Sequence, residues 1–409
     1  MKNFENVYFS PADILIPKKI DMKKWSIVAC DQYTSQPDYW KKVESIAGEN
    51  PSALHITLPE IYLENENVHE KISSINKTMQ NYLENDIFTC FADSFIYVER
   101  KLPTGKTRKG LVGAVDLEAY DYTDGAKNHI RATEKTVIDR IPPRVKIREN
   151  APLELPHVML LINDKEKSII EQLEYRKNEF EVVYDFELMQ NGGHITGYRI
   201  PRQSADSIYN GLLEQKSKSS FMYAVGDGNH SLAAAKVCWE RIKKTQGIQQ
   251  HSARYALAEL VNIYDDSLLF EPIHRVLFNC NPKSVLESIF NMCPIRDDKT
   301  KGQPIKYMFE GESGVFFIDK PTVTLAISEL QSCLDGYIAA NNCKIDYIHG
   351  DDAVESLSQQ KENIGFILPA MEKAELFSAV VENGVLPRKT FSMGSADEKR
   401  YYLECRKLF

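Results

Sequence analysis

The sequence lacks the marks of several common protein classes. Its eight cysteines are scattered without a C-x-x-C pair, which argues against a zinc ribbon and a dense disulfide framework. No apolar run approaches the roughly 18 residues of a membrane span. The first residues carry no apolar core of a signal peptide. These absences predict a cytoplasmic protein with no membrane partner.

The sequence also lacks an excess of basic residues. Its formal net charge is −8, whereas a general nucleic-acid binder has a basic face, so we do not expect nucleic acid as a partner. A Walker phosphate loop is missing too, because Gly105-Lys106-Thr107 has neither the upstream glycine spacing nor the following helix. We predict the tip of a hairpin there.

What is present is the composition of an ordinary globular protein, 43% hydrophobic and 26% charged. A chain of 409 residues can bury a sizeable core and form more than one domain. Strand-like and helix-like patterns are mixed, which predicts an α/β (mixed α+β) fold. Expected elements include helices over residues 68–83 and 166–178, and a hairpin of strands at 95–98 and 110–117. A shift in composition predicts a boundary between residues 281 and 282.

The most informative stretch is residues 223–235, Tyr-Ala-Val-Gly-Asp-Gly-Asn-His-Ser-Leu-Ala-Ala-Ala. The pattern predicts a strand, a turn at 226–228 and a small-residue helix. A helix N-terminus with Asp227, Gly228 and His230 beside it suits phosphate. Asp227 can hold a metal ion or take a proton, and His230 can contact a transferring phosphoryl group. The alternative is that Asp227 only caps the helix and Gly228 only relieves a strained turn.

The stretch Asp227-Gly228-Asn229-His230-Ser231 resembles the Asp-Gly-His-His-Arg signature of ParB-like proteins, including the free-serine kinases of the ParB/sulfiredoxin fold. Nearly the whole chain resembles a ParB-like bacterial and archaeal family, domain of unknown function 1015. The further motifs that carry this resemblance are 28-VACDQY-33, 130-IRATEKT-136, 270-FEPIHR-275 and 386-LPRKTF-391. Asn229 and Ser231 depart from the signature, which affects the expected substrate and nucleotide preference more than the phosphate site.

Basic residues cluster between Lys127 and Arg148 with irregular spacing, interrupted by Pro142-Pro143. We interpret the segment as a loop that collects cations around a small anion. The residues assigned to nucleotide binding are Arg131, Lys135, Arg140, Arg144 and Arg148, together with Gly228, Asn229 and Ser231. The alternative is a solvated face whose cations pair with Glu134, Asp139 and Glu149.

Other residues complete the candidate site. Glu134 lies among cations that keep it ionised, as a base or a metal ligand requires, although a surface ion pair is the alternative. The resemblance implies that His274, Arg275, Lys389 and Thr390 bind substrate, but His274 can equally satisfy a buried backbone group. Asp31 and Tyr33 follow the first strand, at a strand end where α/β sites collect.

The resemblance implies a ParB/sulfiredoxin-like core with large N-terminal and C-terminal elaborations. Residues 1–281 would bind nucleotide and carry catalysis, and residues 282–409 would form a C-terminal α/β region packed on that core. The expected function is a small-molecule phosphotransferase like a free-serine kinase, with ATP or ADP and Mg as cofactors, and Asp227 as the metal ligand. The alternative is a ParB-like nucleotide-binding switch or a DNA-associated protein, and a nuclease is a third reading. The expected partners are a small-molecule substrate and a nucleotide, with a homodimer left open.

Overall fold

The computed structural model describes residues 3–63, 65–296, 302–387 and 389–409. The chain divides into two compact units. Unit 1 consists of Met1–Ala132, Thr136–Leu268 and Ser395–Phe409, and unit 2 consists of Thr133–Lys135 and Leu269–Gly394. The functional division predicted between residues 281 and 282 stays a prediction. The chain passes from unit 1 to unit 2 between residues 268 and 269, and it returns to unit 1 between residues 394 and 395.

Unit 1 contains an 11-stranded mixed sheet in the order β10-β11-β4-β5-β13-β9-β12-β7-β6, with β2 paired to β4 and β1 to β5. Strand β12 runs parallel to β7 and antiparallel to β9. The strands of this part of the chain are β1 (Phe9–Ser10), β2 (Ala12–Pro17), β3 (Ile27–Val28), β4 (Phe88–Lys101), β5 (Thr107–Asp116), β6 (Tyr120–Asp121), β7 (Ile130–Ala132), β8 (Leu153–Glu154), β9 (Met159–Ile162), β10 (Glu181–Glu187), β11 (His194–Pro201), β12 (Tyr223–Asp227) and β13 (Tyr255–Asn262).

Helices cover both faces of this sheet. Because side chains alternate along a strand, Ile96 and Val98 of β4 join one apolar core, whereas Phe95 and Tyr97 join the other. Helices α2 and α3 pack on the first core, and α5 and α6 pack on the second. The helices of unit 1 are α1 (Met22–Trp25), α2 (Pro37–Ala47), α3 (Val68–Glu84), α4 (Ile141–Arg148), α5 (Asp206–Lys218) and α6 (Asn229–Gln246).

The predicted mixed α/β fold is confirmed, and so are the helix over 68–83 and the β4–β5 hairpin, which closes at Lys101 and Thr107. Two local predictions were wrong. The segment predicted as a helix over 166–178 instead holds a 3-10 helix at Glu171–Glu179. Part of the predicted cationic loop is helix α4, because proline suits the first turn, where no amide is needed for an intrahelical hydrogen bond.

Unit 2 has its own six-stranded sheet, in the order β16-β18-β17-β20-β15-β19, and a separate β14–β21 pair. A disulfide joins Cys293 to Cys333. Its strands are β14 (Phe270–Pro272), β15 (His274–Phe278), β16 (Ile295–Arg296), β17 (Gln303–Phe309), β18 (Glu312–Ile318), β19 (Lys344–Ile348), β20 (Ile364–Ile367) and β21 (Phe391–Met393). Its helices are α7 (Pro282–Met292), α8 (Val323–Asn341), α9 (Asp351–Ser358) and α10 (Glu375–Asn383).

The C-terminal segment Ser395–Phe409 belongs to unit 1 and is tied into its interior. Its strands β22 (Tyr401–Tyr402) and β23 (Arg406–Lys407) pair with β3 and β8. The buried Arg100 donates hydrogen bonds to the backbone carbonyls of Asp397, Glu398 and Lys399. This segment is therefore held in one place by groups from the centre of the sheet.

No helix in the described ranges combines the length and apolarity that a bilayer span requires.

Candidate functional site

The signature stretch forms the predicted strand–turn–helix in unit 1. Strand β12 ends at Asp227, Gly228 adopts a left-handed conformation with φ of 78°, and α6 begins at Asn229. A Cβ atom on Gly228 would lie 3.0 Å from the Val158 Cα, so both the conformation and the space favour glycine. Among the described residues no side chain caps α6, so its first-turn amides are not satisfied by a cap. The turn places Asp227 directly before this N-terminus.

A cation from the C-terminal segment lies beside the signature carboxylate. The Lys399 Nζ is 3.5 Å from the Asp227 Oδ2, and both side chains are mostly buried. The Asp227 Oδ1 accepts a hydrogen bond from the Gly228 N–H at 3.0 Å. The carboxylate, the ammonium and the helix N-terminus together form a compact charged site, which we call the turn site (Asp227, Gly228 and Lys399).

Asp31 belongs to the same electrostatic environment. Burial acts to raise the pKa of Asp31, but nearby charges and donors, the His157 ring first among them, hold that pKa below its usual value. Lys399 is another of the charges that lower it. Asp31 therefore stays ionised at neutral pH and adds a second carboxylate near Lys399. Tyr33 stacks on Tyr39, with ring centroids 3.7 Å apart.

His230 makes a backbone contact at one ring nitrogen. Its Nε2 accepts a hydrogen bond from the Val137 N–H at 3.1 Å. A neutral imidazole that accepts at Nε2 carries its proton on Nδ1, so the ring has an N–H donor. The side chain is half-buried. Its contact with a phosphoryl group stays a prediction.

Asn229 has a polar atom without a partner. Its side-chain oxygen is buried and accepts no hydrogen bond from any described residue. Buried polar atoms in folded proteins are normally paired, so an orphan at a helix N-terminus is consistent with a ligand group that completes it. Asn229 is one of the two positions at which the sequence departs from the signature.

A chain of hydrogen bonds leads from the first turn of α6 toward the C-terminal segment. The Ser231 Oγ is 2.9 Å from the His157 Nε2, and the His157 Nδ1 is 2.8 Å from the Tyr402 hydroxyl. Tyr402 in turn donates to the Cys30 Sγ at 3.0 Å. Burial raises the pKa of Cys30 to about 12, so this thiol stays protonated and is not a nucleophile at neutral pH.

The arginines of the cationic segment are largely committed to partners within unit 1. Arg144 pairs with Glu60, and Arg148 pairs with Glu154. Arg131 is buried, where it donates to the backbone carbonyls at 127 and 128 and stacks on an aromatic ring. Arg140 is exposed. The assignment of these arginines to nucleotide phosphates stays a prediction. Arg144 and Arg148 are paired with acids, but not with Glu134, Asp139 or Glu149, which the alternative interpretation named.

Six of the predicted site residues belong to unit 2: Glu134, Lys135, His274, Arg275, Lys389 and Thr390. The His274 Nδ1 accepts from the Leu368 N–H at 3.1 Å, which matches the backbone-satisfying alternative. Arg275 is buried and donates hydrogen bonds to Gln331 and to the Lys389 carbonyl. Burial lowers the pKa of Arg275, and the Glu134 carboxylate acts to raise that pKa. The exposed Lys389 and the buried Thr390 lie in a turn, where the Thr390 hydroxyl donates to the Pro387 carbonyl. Substrate binding by these residues stays a prediction, and Arg388 of the same motif lies outside the described residues.

Nearly the whole sequence matches one family model. The model, described as "Protein of unknown function (DUF1015)", matches residues 14–407. The chain belongs to this family. No curated protein matches the DUF1015 chain. The ParB-like part of the resemblance stays a prediction.

Several solved structures resemble the DUF1015 chain at low identity. A mutant free serine kinase in complex with AMP is 12% identical, with a TM-score of 0.41 over 75% of this chain and 95% of that chain. A conserved hypothetical protein from Pyrococcus furiosus is 12% identical, with a TM-score of 0.34 over 69% and 91%. SbnI with a C-terminal truncation, from Staphylococcus aureus, is 10% identical, with a TM-score of 0.37 over 69% and 82%. With TM-scores below 0.5, these similarities assign neither a ligand nor a reaction to the chain.

The donor set of the DUF1015 chain suits a metal that arrives with phosphates. Nowhere in the described ranges do three or more His, Cys, Asp or Glu side chains form a group that could hold a metal ion alone. Mg²⁺ is commonly held by one or two carboxylates together with substrate phosphates and water. Asp227 and Asp31 are carboxylates of that chemical kind, and the binding of Mg²⁺ by Asp227 stays a prediction.

Sequence reasoning missed His157, Lys399 and Tyr402 as residues of the DUF1015 site. None of them lies in a motif with recognisable spacing. Lys399 meets Asp227 from the C-terminal segment, His157 bonds to Ser231 of α6, and Tyr402 bonds to His157. A Pro immediately before His157 was the only local signal, and it does not indicate chemistry.

Proposed function

We propose that this protein transfers a phosphoryl group between ATP or ADP and a small hydroxyl compound. The observation that carries the proposal is the turn site, where Lys399 and the N-terminus of α6 meet the Asp227 carboxylate. The helix N-terminus and the ammonium attract phosphate oxygens. A carboxylate beside them is what proton removal or metal binding requires.

The bonds that break and form in the proposed reaction define a role for each residue of the site. The terminal P–O bond of the nucleotide breaks, a new P–O bond forms to the acceptor oxygen, and the hydroxyl proton leaves to a carboxylate. Lys399 and the first-turn amides of α6 hold phosphate oxygens, and His230 contacts the transferring phosphoryl group. Asp227 accepts the proton or holds Mg²⁺, and Asp31 stays ionised under the influence of Lys399. When bound, Mg²⁺ supplies positive charge to the phosphate oxygens.

The test measures transfer and binding on the same purified protein. Incubation with ATP and Mg²⁺, or with ADP and Mg²⁺, and a panel of small hydroxyl compounds that begins with L-serine should give one phosphorylated product, detected by mass spectrometry. Asp227→Asn keeps the size of the side chain but removes its charge, so turnover should fall by about 100-fold or more. The exposed Asp352→Asn serves as the matched control and should keep wild-type turnover.

Nucleotide binding separates the two roles of Asp227. If Asp227 holds Mg²⁺, the gain in ADP affinity that Mg²⁺ produces, measured by calorimetry, should disappear in Asp227→Asn. If Asp227 is the base, that gain should persist while turnover falls. Tight CTP binding without transfer to any hydroxyl compound would refute the proposal and favour a ParB-like switch.

A further inference from the structure

A cavity of about 140 Å³ lies inside unit 1 next to the first turn of α6. Most of its wall is aliphatic, with Ile56, Leu58, Met79 and Leu257 as examples. An engineered apolar cavity of about 150 Å³ is known to hold benzene, which has six non-hydrogen atoms. The cavity therefore has room for a compound of about that size.

The charged groups on the wall are already neutralised. Arg144 is paired with Glu60, and Arg148 with Glu154, and all four side chains line the cavity. An amino acid in this space would bring an ammonium and a carboxylate into an apolar surrounding, which is strongly unfavourable without free partners. The wall thus favours an uncharged ligand body over free serine.

One end of the cavity is polar and lies at the signature helix. Ser231, His157 and Tyr402 line it, joined by the hydrogen bonds of 2.9 and 2.8 Å. Ser231 lies in the first turn of α6, three residues after Gly228. The His157 ring is close enough to Asp31 to lower the pKa of that carboxyl. A hydroxyl held at this end is therefore at the end of the cavity that neighbours the turn site.

We infer that this cavity binds the phosphoryl acceptor, an alcohol with an uncharged apolar body of about six non-hydrogen atoms. The hydroxyl donates a hydrogen bond to the Ser231 Oγ, whose own proton is donated to the His157 Nε2, and the apolar body lies against the aliphatic wall. The role as acceptor rests on the proposed function, whereas the binding of the alcohol does not.

The test compares two probes of similar size without nucleotide. Calorimetry with 3-methyl-1-butanol and with L-serine should show at least tenfold tighter binding of the alcohol. Ala235 lines the cavity, so Ala235→Leu should fill it and abolish alcohol binding. Ser231→Ala removes one hydrogen bond and should weaken the alcohol about fivefold. The control Ser217→Ala, on the exposed surface of α5, should bind the alcohol like the wild type.

ADP titrations of the same samples separate this inference from the proposed function. If ADP binds in a manner that depends on Lys399 but the alcohol does not bind, the pocket is refuted and the proposed function stands. If the alcohol binds as expected but ADP does not, the acceptor role is refuted along with the proposed function. Equal affinity for serine and the alcohol, or unchanged alcohol binding in both Ala235→Leu and Ser231→Ala, would also overturn the inference.

Discussion

The Lys399 ammonium lies 3.5 Å from the Asp227 carboxylate, although Asp227 belongs to the segment Thr136–Leu268 and Lys399 to the segment Ser395–Phe409 of unit 1. Asp227 is placed by a strand–turn–helix that is local in sequence. Lys399 is placed by a segment whose backbone is bound by a buried arginine. The turn site therefore depends on one local element and one long-range anchor, and each can be tested separately.

The first prediction concerns the cation of the turn site. Lys399→Gln removes a charge that is placed to contact phosphate, so ADP affinity measured by calorimetry should fall about tenfold or more. Lys407→Gln is the control, because Lys407 lies on the same C-terminal segment but is exposed. Equal loss of ADP affinity in both variants would show that the net charge of the protein, and not the position of Lys399, determines the affinity.

The second prediction concerns the turn. Gly228→Ala introduces a left-handed alanine whose Cβ would lie 3.0 Å from backbone, so it carries both conformational strain and a steric clash. Gly125→Ala has a similar φ of 74° but nothing within 4 Å of its Cβ. Urea unfolding should show a loss of about 1–2 kcal/mol for Gly125→Ala and a clearly larger loss for Gly228→Ala. Equal losses would mean that the neighbouring backbone yields without strain.

The third prediction concerns the anchor of the C-terminal segment. Arg100→Gln leaves the buried carbonyls at 397–399 without their donor and should lower the free energy of unfolding by about 3 kcal/mol or more. Hydrogen exchange at 397–402 should quicken, and ADP affinity should fall because Lys399 loses its placement. Arg241→Gln, at an exposed position of α6, is the control. Unchanged exchange in this segment would contradict the anchoring role.

The fourth prediction concerns pH and unit 2. Burial lowers the pKa of His274, and Asp351 offsets this only in part. The unfolded chain, with a histidine pKa of about 6.5, then binds a proton at pH values where the folded protein does not. The stability linked to His274 is therefore complete above that pH and is lost as the pH falls through it toward the folded pKa.

His274→Asn can still accept from the Leu368 N–H through its side-chain oxygen, but it does not titrate. Urea unfolding between pH 8 and pH 5 should show a flatter dependence on pH than in the wild type, by at most about 1.4 kcal/mol per pH unit. The exposed His69→Asn is measured as the control. Identical slopes for His274→Asn and the wild type would contradict this account.

The parts of the structure that sequence predicted are those that local patterns determine. The helix over Val68–Glu84 follows from apolar periodicity, and the left-handed Gly228 follows from a glycine between a strand and a helix. The start of α4 was missed because Pro142 breaks a helix interior but suits its first turn, and the pattern alone did not reveal which position applied.

The partners of the site were out of reach for a different reason. His157 and Lys399 meet the signature only through pairing between segments far apart in the sequence, and a single sequence carries no record of such pairing. The same holds for the arginines, whose number was visible but whose carboxylate partners were not. Local sequence thus predicted which residue types are available, and long-range packing determined which of them converge.

The C-terminal segment Ser395–Phe409 also has a consequence during synthesis. Unit 2 lies between this segment and the rest of unit 1 in the sequence, so the ribosome translates all of unit 2 before it reaches Lys399 and Tyr402. Until then, strand β3 lacks its partner strand β22, and the Arg100 guanidinium lacks the backbone carbonyls at 397–399 to which it donates. A chain released early would present Asp227 without its ammonium partner, so a complete turn site becomes a sign that translation has passed Lys399.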